Sequence, residues 1–149
     1  MERMTRMPDF AIGASRLLDT LRDETGAGLS CGTDVVEISQ FARDLQLGGE
    51  RFLRRIYTQD EILLCGGDTQ RLAARFAAKE ATAKALRTGM RGLGWREIEV
   101  LKLPGGAPHL VLRGRAASRA EALRLKDWAI SLSHTHNVAI ADVVALARN

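Results

Sequence analysis

The sequence is poor in cysteine, proline and aromatic residues. Its 149 residues include two cysteines, three prolines and only 5% phenylalanine, tryptophan and tyrosine together. Cys31 and Cys65 form no CxxC pair and have no histidine close by, so a disulfide framework and a zinc site are both disfavoured. The scarcity of aromatic residues also argues against single-strand nucleic-acid binding, in which bases stack on aromatic rings.

Long apolar runs are also missing. The longest one, "VAIADVVALA", is short and contains Asp142, and the N-terminal stretch lacks the apolar core of a secretory signal. We therefore expect a cytoplasmic protein that does not enter a membrane. The net charge of +4 permits an acidic or phosphate-rich partner, but it is too small to indicate nucleic acid.

The order of periodic segments predicts one α+β core domain with an extension before it. Residues 10–24 have apolar side chains at helical spacing and precede a glycine-containing break, so residues 1–28 are predicted to be a helical extension of a domain over 29–149. The apolar positions of that helix are Ile12, Leu17, Leu18 and Leu21.

Within the domain, helical patterns precede hairpin patterns. A strand-like run, "LSCGTDVVEI", is followed by a helix, an arginine-rich connection and a short helix opened by Thr58 with Glu61 three residues later. A further helix is predicted from Thr69 to Leu86, with Gly89 capping its end. A hairpin around "PGGA", another helix and a final strand pair complete the pattern.

Two carboxylates stand out. Asp34 follows the strand-like run and Gly32, a position where we expect the end of an element and a close approach to a ligand. Glu80 lies in the alanine-rich stretch "RFAAKEATAKALRTG". It either pairs with Lys84 on the helix surface, which would contribute about 0.3–0.5 kcal/mol, or faces a site.

The residues around these carboxylates suit a metal and a polyphosphate. Mg²⁺ commonly takes one or two protein carboxylates and completes its octahedron with water and phosphate oxygens. Arg75, Lys79 and Lys84 supply cations on the same predicted helix. His134 ends a predicted strand in "SLSH", where it contacts phosphate or caps a turn.

Several motifs occur in a recognisable order. They are "GTD" (32–34), "RFAAKEATAKAL" (75–86), "TGMRG" (88–92), "GWREIEVL", "GGAPHL" and "SLSH". From residue 29 to the C-terminus the chain resembles the holo-acyl-carrier-protein synthases, the short, single-domain class of 4′-phosphopantetheinyl transferases. The resemblance implies an antiparallel sheet packed with helices, and a homotrimer with coenzyme A clefts between subunits.

The resemblance also implies an activity and a set of site residues. Members transfer 4′-phosphopantetheine from coenzyme A to a serine of an apo acyl carrier protein and release adenosine 3′,5′-bisphosphate. Asp34 and Glu80 match the Mg²⁺ ligands, and Lys84 matches the lysine that contacts the pyrophosphate. The resemblance implies that Glu80, or water beside it, deprotonates the serine. Further coenzyme A contacts are expected from Arg75, Lys79, His134 and Gly89.

The carrier protein of the family is acidic and docks on the basic helix after "GTD". The candidates in this chain are Arg43, Arg51, Arg54 and Arg55. Such a patch would steer an acidic partner, although the same arginines also fit a solvated helix face. Gln40 stands where members often have a basic residue, and the first 28 residues have no counterpart in a minimal synthase.

Two other functions fit the sequence less well. A non-catalytic module that grips coenzyme A or a carrier protein would not need the Asp34, Glu80 and Lys84 set. A small basic nucleic-acid-binding domain would rest on charge alone.

Overall fold

The structure is a computed structural model that describes residues 28–148 as four helices, five strands and one 3₁₀ turn. The predicted extension lies outside the described residues except for Gly28, which begins the first strand. In chain order the elements are β1 (Gly28–Glu37), α1 (Ile38–Ile56), α2 (Gln59–Cys65), α3 (Thr69–Ala85), the 3₁₀ turn (Trp95–Glu97), β2 (Ile98–Lys102), β3 (Pro108–Leu112), α4 (Gly114–Ala122), β4 (Leu125–His134) and β5 (Val138–Ala147).

The strands form two antiparallel sheets. One has three strands in the order β1-β5-β4, and the other is the β2–β3 hairpin. This arrangement confirms the predicted α+β class, including the hairpin and the final strand pair. The face of the three-stranded sheet opposite to α3 exposes Leu29, Val35, Val144 and Leu146. Among residues 28–148, no helix is long and apolar enough to cross a membrane.

Helix α3 lies across the sheet at close range because the facing residues are small. Its alanines are buried against β1 and β5, and Asp68 caps its first turn by accepting from the backbone N–H groups of Gln70 and Arg71. A Cβ on Gly32 would overlap the carbonyl oxygen of Ala81 and lie 2.9 Å from the backbone nitrogen of Ala85. Gly32 therefore permits a helix–strand contact that any other residue would prevent.

Three local expectations change. Asp34 lies inside β1 rather than at its end, and the close approach that Gly32 permits is to α3 rather than to a ligand. The arginine-rich connection is helical, because α1 continues to Ile56 through a kink at Gly49, where φ is 55°. At the end of α3, Arg87 already adopts a positive φ of 62°, and Gly89 follows by donating its N–H to the carbonyl of Ala83.

A buried ion pair fastens α3 to α2 and the hairpin. Thr58 and Glu61 form the predicted capping box of α2, and Glu61 also accepts from the buried ammonium of Lys79 at 2.8 Å. The second carboxylate oxygen of Glu61 accepts from the backbone N–H of Val100 in β2. Burial lowers the pKa of Lys79, and the charge of Glu61 opposes that shift. Every polar atom of the pair thus has a partner, as a buried charge requires.

We expect Lys79→Met to destabilise the fold by about 3–5 kcal/mol, because the substitution leaves the Glu61 carboxylate buried without its counter-charge. The free energy of unfolding from a urea titration measures this loss. The double variant Lys79→Met with Glu61→Gln should recover part of it, since no charge remains buried. A single variant within about 1 kcal/mol of the unmodified protein would contradict this account of the pair.

We expect Gly32→Ala to destabilise the fold by about 1–3 kcal/mol or more, because the added methyl group must push α3 away from β1. The matched control is Gly105→Ala in the β2–β3 turn, where an added Cβ meets nothing within 4 Å. Urea titrations of both variants measure the difference. Equal stability of the two variants would show that α3 and β1 tolerate a wider separation.

Candidate functional site

Asp34, Glu80 and Lys84 come together where α3 crosses β1. The ammonium of Lys84 lies 2.8 Å from Asp34 Oδ1 and also donates to the carbonyl oxygen of Thr33 at 2.8 Å. The lysine therefore pairs with the strand rather than with Glu80, which precedes it by one helical turn. The surface pair between Glu80 and Lys84, the alternative left open by the sequence, is not the arrangement seen.

Two carboxylates share this site with one ammonium. Partial burial raises the pKa of Glu80, the nearby charge of Asp34 raises it further, and Lys84 lowers it. Within residues 28–148, no hydrogen bond engages the Glu80 carboxylate. Two neighbouring carboxylates, one of which accepts no hydrogen bond, are a suitable place for a divalent cation.

The donor set limits which metal fits. In the described part of the chain, no group of three or more histidine, cysteine, aspartate or glutamate side chains could hold a metal ion. A structural zinc site needs such a group, whereas Mg²⁺ is commonly bound by one or two carboxylates together with water and substrate phosphates. Asp34 and Glu80 therefore fit Mg²⁺ as a partial ligand set that a phosphate-bearing ligand completes.

Lys79 does not belong to this site. Its ammonium is fully buried and donates to Glu61, to the carbonyl of Trp95 at 3.1 Å and to the carbonyl of Ile98 at 2.6 Å. These bonds use all three N–H donors of a lysine, so none remains for a phosphate. The phosphate contact expected of Lys79 is thus corrected: this lysine holds the core together.

Arg75 and His134 lie in a different part of the molecule from Asp34. Arg75 is mostly buried, donates its Nε–H to the carbonyl of Val100 at 3.0 Å, and lines a cleft of about 250 Å³ with Arg71 and Lys102. His134 is exposed at the end of β4. Strand β5 separates β4 from β1, so two interstrand spacings, about 9.5 Å, lie between them. Arg75 and His134 therefore make no contact with the Asp34–Lys84 pair within residues 28–148.

The remaining expected contact, Gly89, lies in the loop that follows α3. Its φ of 58° is in the left-handed region. The residue is partly exposed and follows Lys84 by five positions. Gly89 therefore lies just beyond the C-terminal end of α3, the helix that carries Lys84.

The sequence did not identify the residues that set the geometry of the site. Thr33 supplies a carbonyl to Lys84, and Gly32 sets the distance between α3 and β1. Glu61 fixes α3 through Lys79. The capping box around Glu61 was visible in the sequence as a helix start, but its second role depends on Val100 and Lys79, which are distant along the chain.

The chain is similar to known proteins over most of its length. A family model described as the 4′-phosphopantetheinyl transferase superfamily matches residues 30–141. The holo-[acyl-carrier-protein] synthase of Herpetosiphon aurantiacus is 45% identical over 125 residues, which cover 79% of this chain and 98% of that protein. The synthase of Koribacter versatilis is 46% identical over 120 residues, covering 78% and 96%.

Solved structures agree with this similarity. The holo-[acyl-carrier-protein] synthase of Neisseria meningitidis has a TM-score of 0.70 and 36% identity, and covers 78% of this chain and 96% of its own. The Helicobacter pylori enzyme in complex with coenzyme A has a TM-score of 0.71 and 31% identity, with coverage of 77% and 98%. These similarities confirm the resemblance carried by the sequence motifs, and the chain belongs to the holo-[acyl-carrier-protein] synthases of the 4′-phosphopantetheinyl transferase superfamily.

Proposed function

We propose that the protein carries out Mg²⁺-dependent transfer of 4′-phosphopantetheine from coenzyme A to a serine of an apo acyl carrier protein, with release of adenosine 3′,5′-bisphosphate. The observation that supports this most is the meeting of Asp34, Glu80 and Lys84 at the crossing of α3 and β1. The Helicobacter pylori relative in complex with coenzyme A supports the donor substrate. A role in fatty acid biosynthesis is part of the proposal.

The proposed reaction exchanges the phosphoanhydride bond of coenzyme A for a phosphodiester bond to the carrier serine. The serine oxygen forms a bond to the phosphorus that bears the pantetheine arm, and the bond from that phosphorus to the bridging oxygen breaks. The electron pair leaves with adenosine 3′,5′-bisphosphate. Mg²⁺, held by Asp34 and Glu80, would supply neutralisation of the pyrophosphate charge.

Other residues of the chain would bind the pyrophosphate, accept the serine proton and contact the rest of coenzyme A. Lys84, whose ammonium lies 2.8 Å from Asp34 Oδ1 and is partly exposed, would donate to a pyrophosphate oxygen. We assign acceptance of the serine proton to Glu80, or to a water beside it, because this carboxylate accepts no hydrogen bond within residues 28–148 and burial raises its pKa. Arg75, His134 and Gly89 contact other parts of coenzyme A.

We propose that the active assembly is a homotrimer with each coenzyme A cleft between two subunits. Two observations support it. The cleft lined by Arg75 does not include Asp34, Glu80 or Lys84, so one chain does not bring all the expected ligand contacts to one cleft. The sheet face opposite to α3 exposes four large apolar side chains, Leu29, Val35, Val144 and Leu146, among polar ones, as a subunit interface would. A cytoplasmic location stays a prediction from the sequence.

Helix α1 is the proposed docking surface for the acidic carrier protein, and its arginines are not equivalent. Arg43 donates to Gln40, which in turn donates to Asp44, and Arg54 pairs with Glu50 at 2.6 Å. Arg51 and Arg55 have no hydrogen bond or ion pair within residues 28–148. These two arginines are four residues apart and thus share a helix face, beyond the kink, so they are the cations available to a carrier.

The test of the proposed activity is the intact mass of an apo carrier protein incubated with coenzyme A and Mg²⁺. We expect the mass to rise by one phosphopantetheine group, and chelation of the metal to prevent the rise. Asp34→Asn and Glu80→Gln should each slow transfer at least about 100-fold, because each removes a metal ligand. The control Asp60→Asn removes an exposed acid on α2.

No mass change in any of a panel of fatty-acid, polyketide and peptide-synthetase carriers would contradict the proposed function. Transfer by Asp34→Asn at the rate of the Asp60→Asn control would contradict the metal assignment alone.

A steady-state measurement tests the docking surface. We expect Arg51→Glu with Arg55→Glu to raise the KM for the carrier about tenfold or more, with little change in kcat, because reversed charges repel an acidic partner before chemistry begins. Arg96→Glu, an exposed charge reversal outside α1, is the matched control. A double variant whose KM equals that of the control would show that the carrier docks elsewhere.

A further inference from the structure

The ammonium of Lys84 occupies an acceptor that a metal ion at this site would need. It lies 2.8 Å from Asp34 Oδ1, and the Asp34 side chain is only 18% exposed. Burial and the charge of Asp34 raise the pKa of Glu80, the second carboxylate, and the charge of Lys84 opposes that shift. In the free protein, the positive charge beside the two carboxylates is therefore that of the lysine. Another cation at Asp34 Oδ1 competes with it.

The contacts of Lys84 allow it to release Asp34 without leaving the site. A second N–H bond runs to the carbonyl oxygen of Thr33 at 2.8 Å, on the backbone of β1. A lysine ammonium has three N–H donors, and the third has no acceptor within residues 28–148. The Lys84 side chain is also 48% exposed. An anion that arrives from solvent can therefore bind the ammonium while Thr33 continues to hold it.

Lys79 shows how a lysine of the same helix is held when its role is structural. It is fully buried, and its three N–H donors bind Glu61 and two backbone carbonyls. Such an ammonium cannot change partners without leaving a buried charge unpaired. Lys84 has neither the burial nor the full set of bonds, so its pairing with Asp34 can be exchanged.

The two ligands of the proposed reaction provide that exchange. Partly exposed ion pairs contribute little to stability, so Lys84 can give up Asp34 for a stronger partner. The pyrophosphate of coenzyme A is such a partner, because phosphate oxygens form charge-assisted hydrogen bonds with an ammonium. With both ligands bound, the cation compensates Asp34 and the pyrophosphate compensates Lys84. Either ligand alone leaves the ammonium or the carboxylate without an opposite charge.

We infer that Lys84 takes the place of the metal cation at Asp34 in the free protein, and that its transfer to the pyrophosphate makes Mg²⁺ and coenzyme A bind cooperatively. The inference rests on the proposed function, which supplies both ligands, and adds how each ligand affects the other. Because a binding coupling is reciprocal, each ligand raises the affinity for the other by the same factor.

Mn²⁺ titrations followed by electron paramagnetic resonance test the inference without the carrier protein, and thus without turnover. Mn²⁺ has the oxygen-ligand preference of Mg²⁺. In the unmodified protein we expect saturating coenzyme A to raise the affinity for Mn²⁺ at least about tenfold. Without coenzyme A, Lys84→Met should bind Mn²⁺ at least about threefold more tightly than the unmodified protein, because no ammonium competes for Asp34. Coenzyme A should raise the affinity of that variant by a smaller factor, since methionine cannot bind the pyrophosphate.

Two further variants control for net charge and for the side chain introduced. Lys126→Met removes the same charge from an exposed residue of β4 and should bind Mn²⁺ as the unmodified protein does. Lys84→Gln can still donate to the carbonyl of Thr33, and it should behave like Lys84→Met because it also lacks the charge.

High salt separates competition for one oxygen from repulsion at a distance. In about 1 M KCl, charges are screened beyond about 3 Å, whereas Lys84 Nζ lies 2.8 Å from Asp34 Oδ1. We expect the tighter Mn²⁺ binding of Lys84→Met, relative to Lys126→Met, to persist under this condition.

Equal Mn²⁺ affinities of Lys84→Met and Lys126→Met without coenzyme A, or a difference that high salt abolishes, would overturn the inference. Mn²⁺ binding by the unmodified protein that coenzyme A leaves unchanged would also overturn it. Cooperative binding without any mass gain on a carrier would support the inference and contradict the proposed transfer, so the two failures are distinguishable.

Discussion

The structure depends on how closely α3 can approach β1. At Gly32 no side chain stands between the two elements, and the alanines of α3 present only methyl groups to the sheet. Because this distance is short, a carboxylate on the strand and a carboxylate and an ammonium on the helix meet without any loop. A site built from two packed elements is positioned more precisely than one built from loops, which suits a metal that demands near-ideal octahedral geometry.

The rotation of α3 is set by its neighbour on the chain. Lys79 is fixed in the core by Glu61 and two backbone carbonyls. Adjacent residues on a helix point about 100° apart, so burying Lys79 turns Glu80 to the edge of the packed face, beside Asp34. The buried pair thus does two things: it fastens α3 to α2 and β2, and it orients the Glu80 carboxylate towards Asp34. A lysine that resembled a ligand contact in the sequence acts instead as a positioning residue.

Local patterns predicted most elements, since capping at Thr58, the alternation of the hairpin and the periodicity of α3 are local properties. They did not predict that Asp34 lies within β1, because a glycine inside a strand and a glycine after a strand look alike in sequence. Nor did local patterns show that Lys79 and Lys84 have different roles, because both are lysines on the same predicted helix, five residues apart. That difference arises from Glu61 and Thr33, whose contacts with the two lysines are long-range.

We propose that the close packing of α3 on β1 at Gly32 creates the metal site formed by Asp34 and Glu80. Binding of Mn²⁺, which shares the oxygen-ligand preference of Mg²⁺, tests it by electron paramagnetic resonance in the presence of coenzyme A. We predict that the unmodified protein binds Mn²⁺, that Asp34→Asn loses binding, and that Gly32→Ala weakens it strongly although both carboxylates remain. Mn²⁺ affinity in Gly32→Ala equal to that of the unmodified protein would contradict the claim.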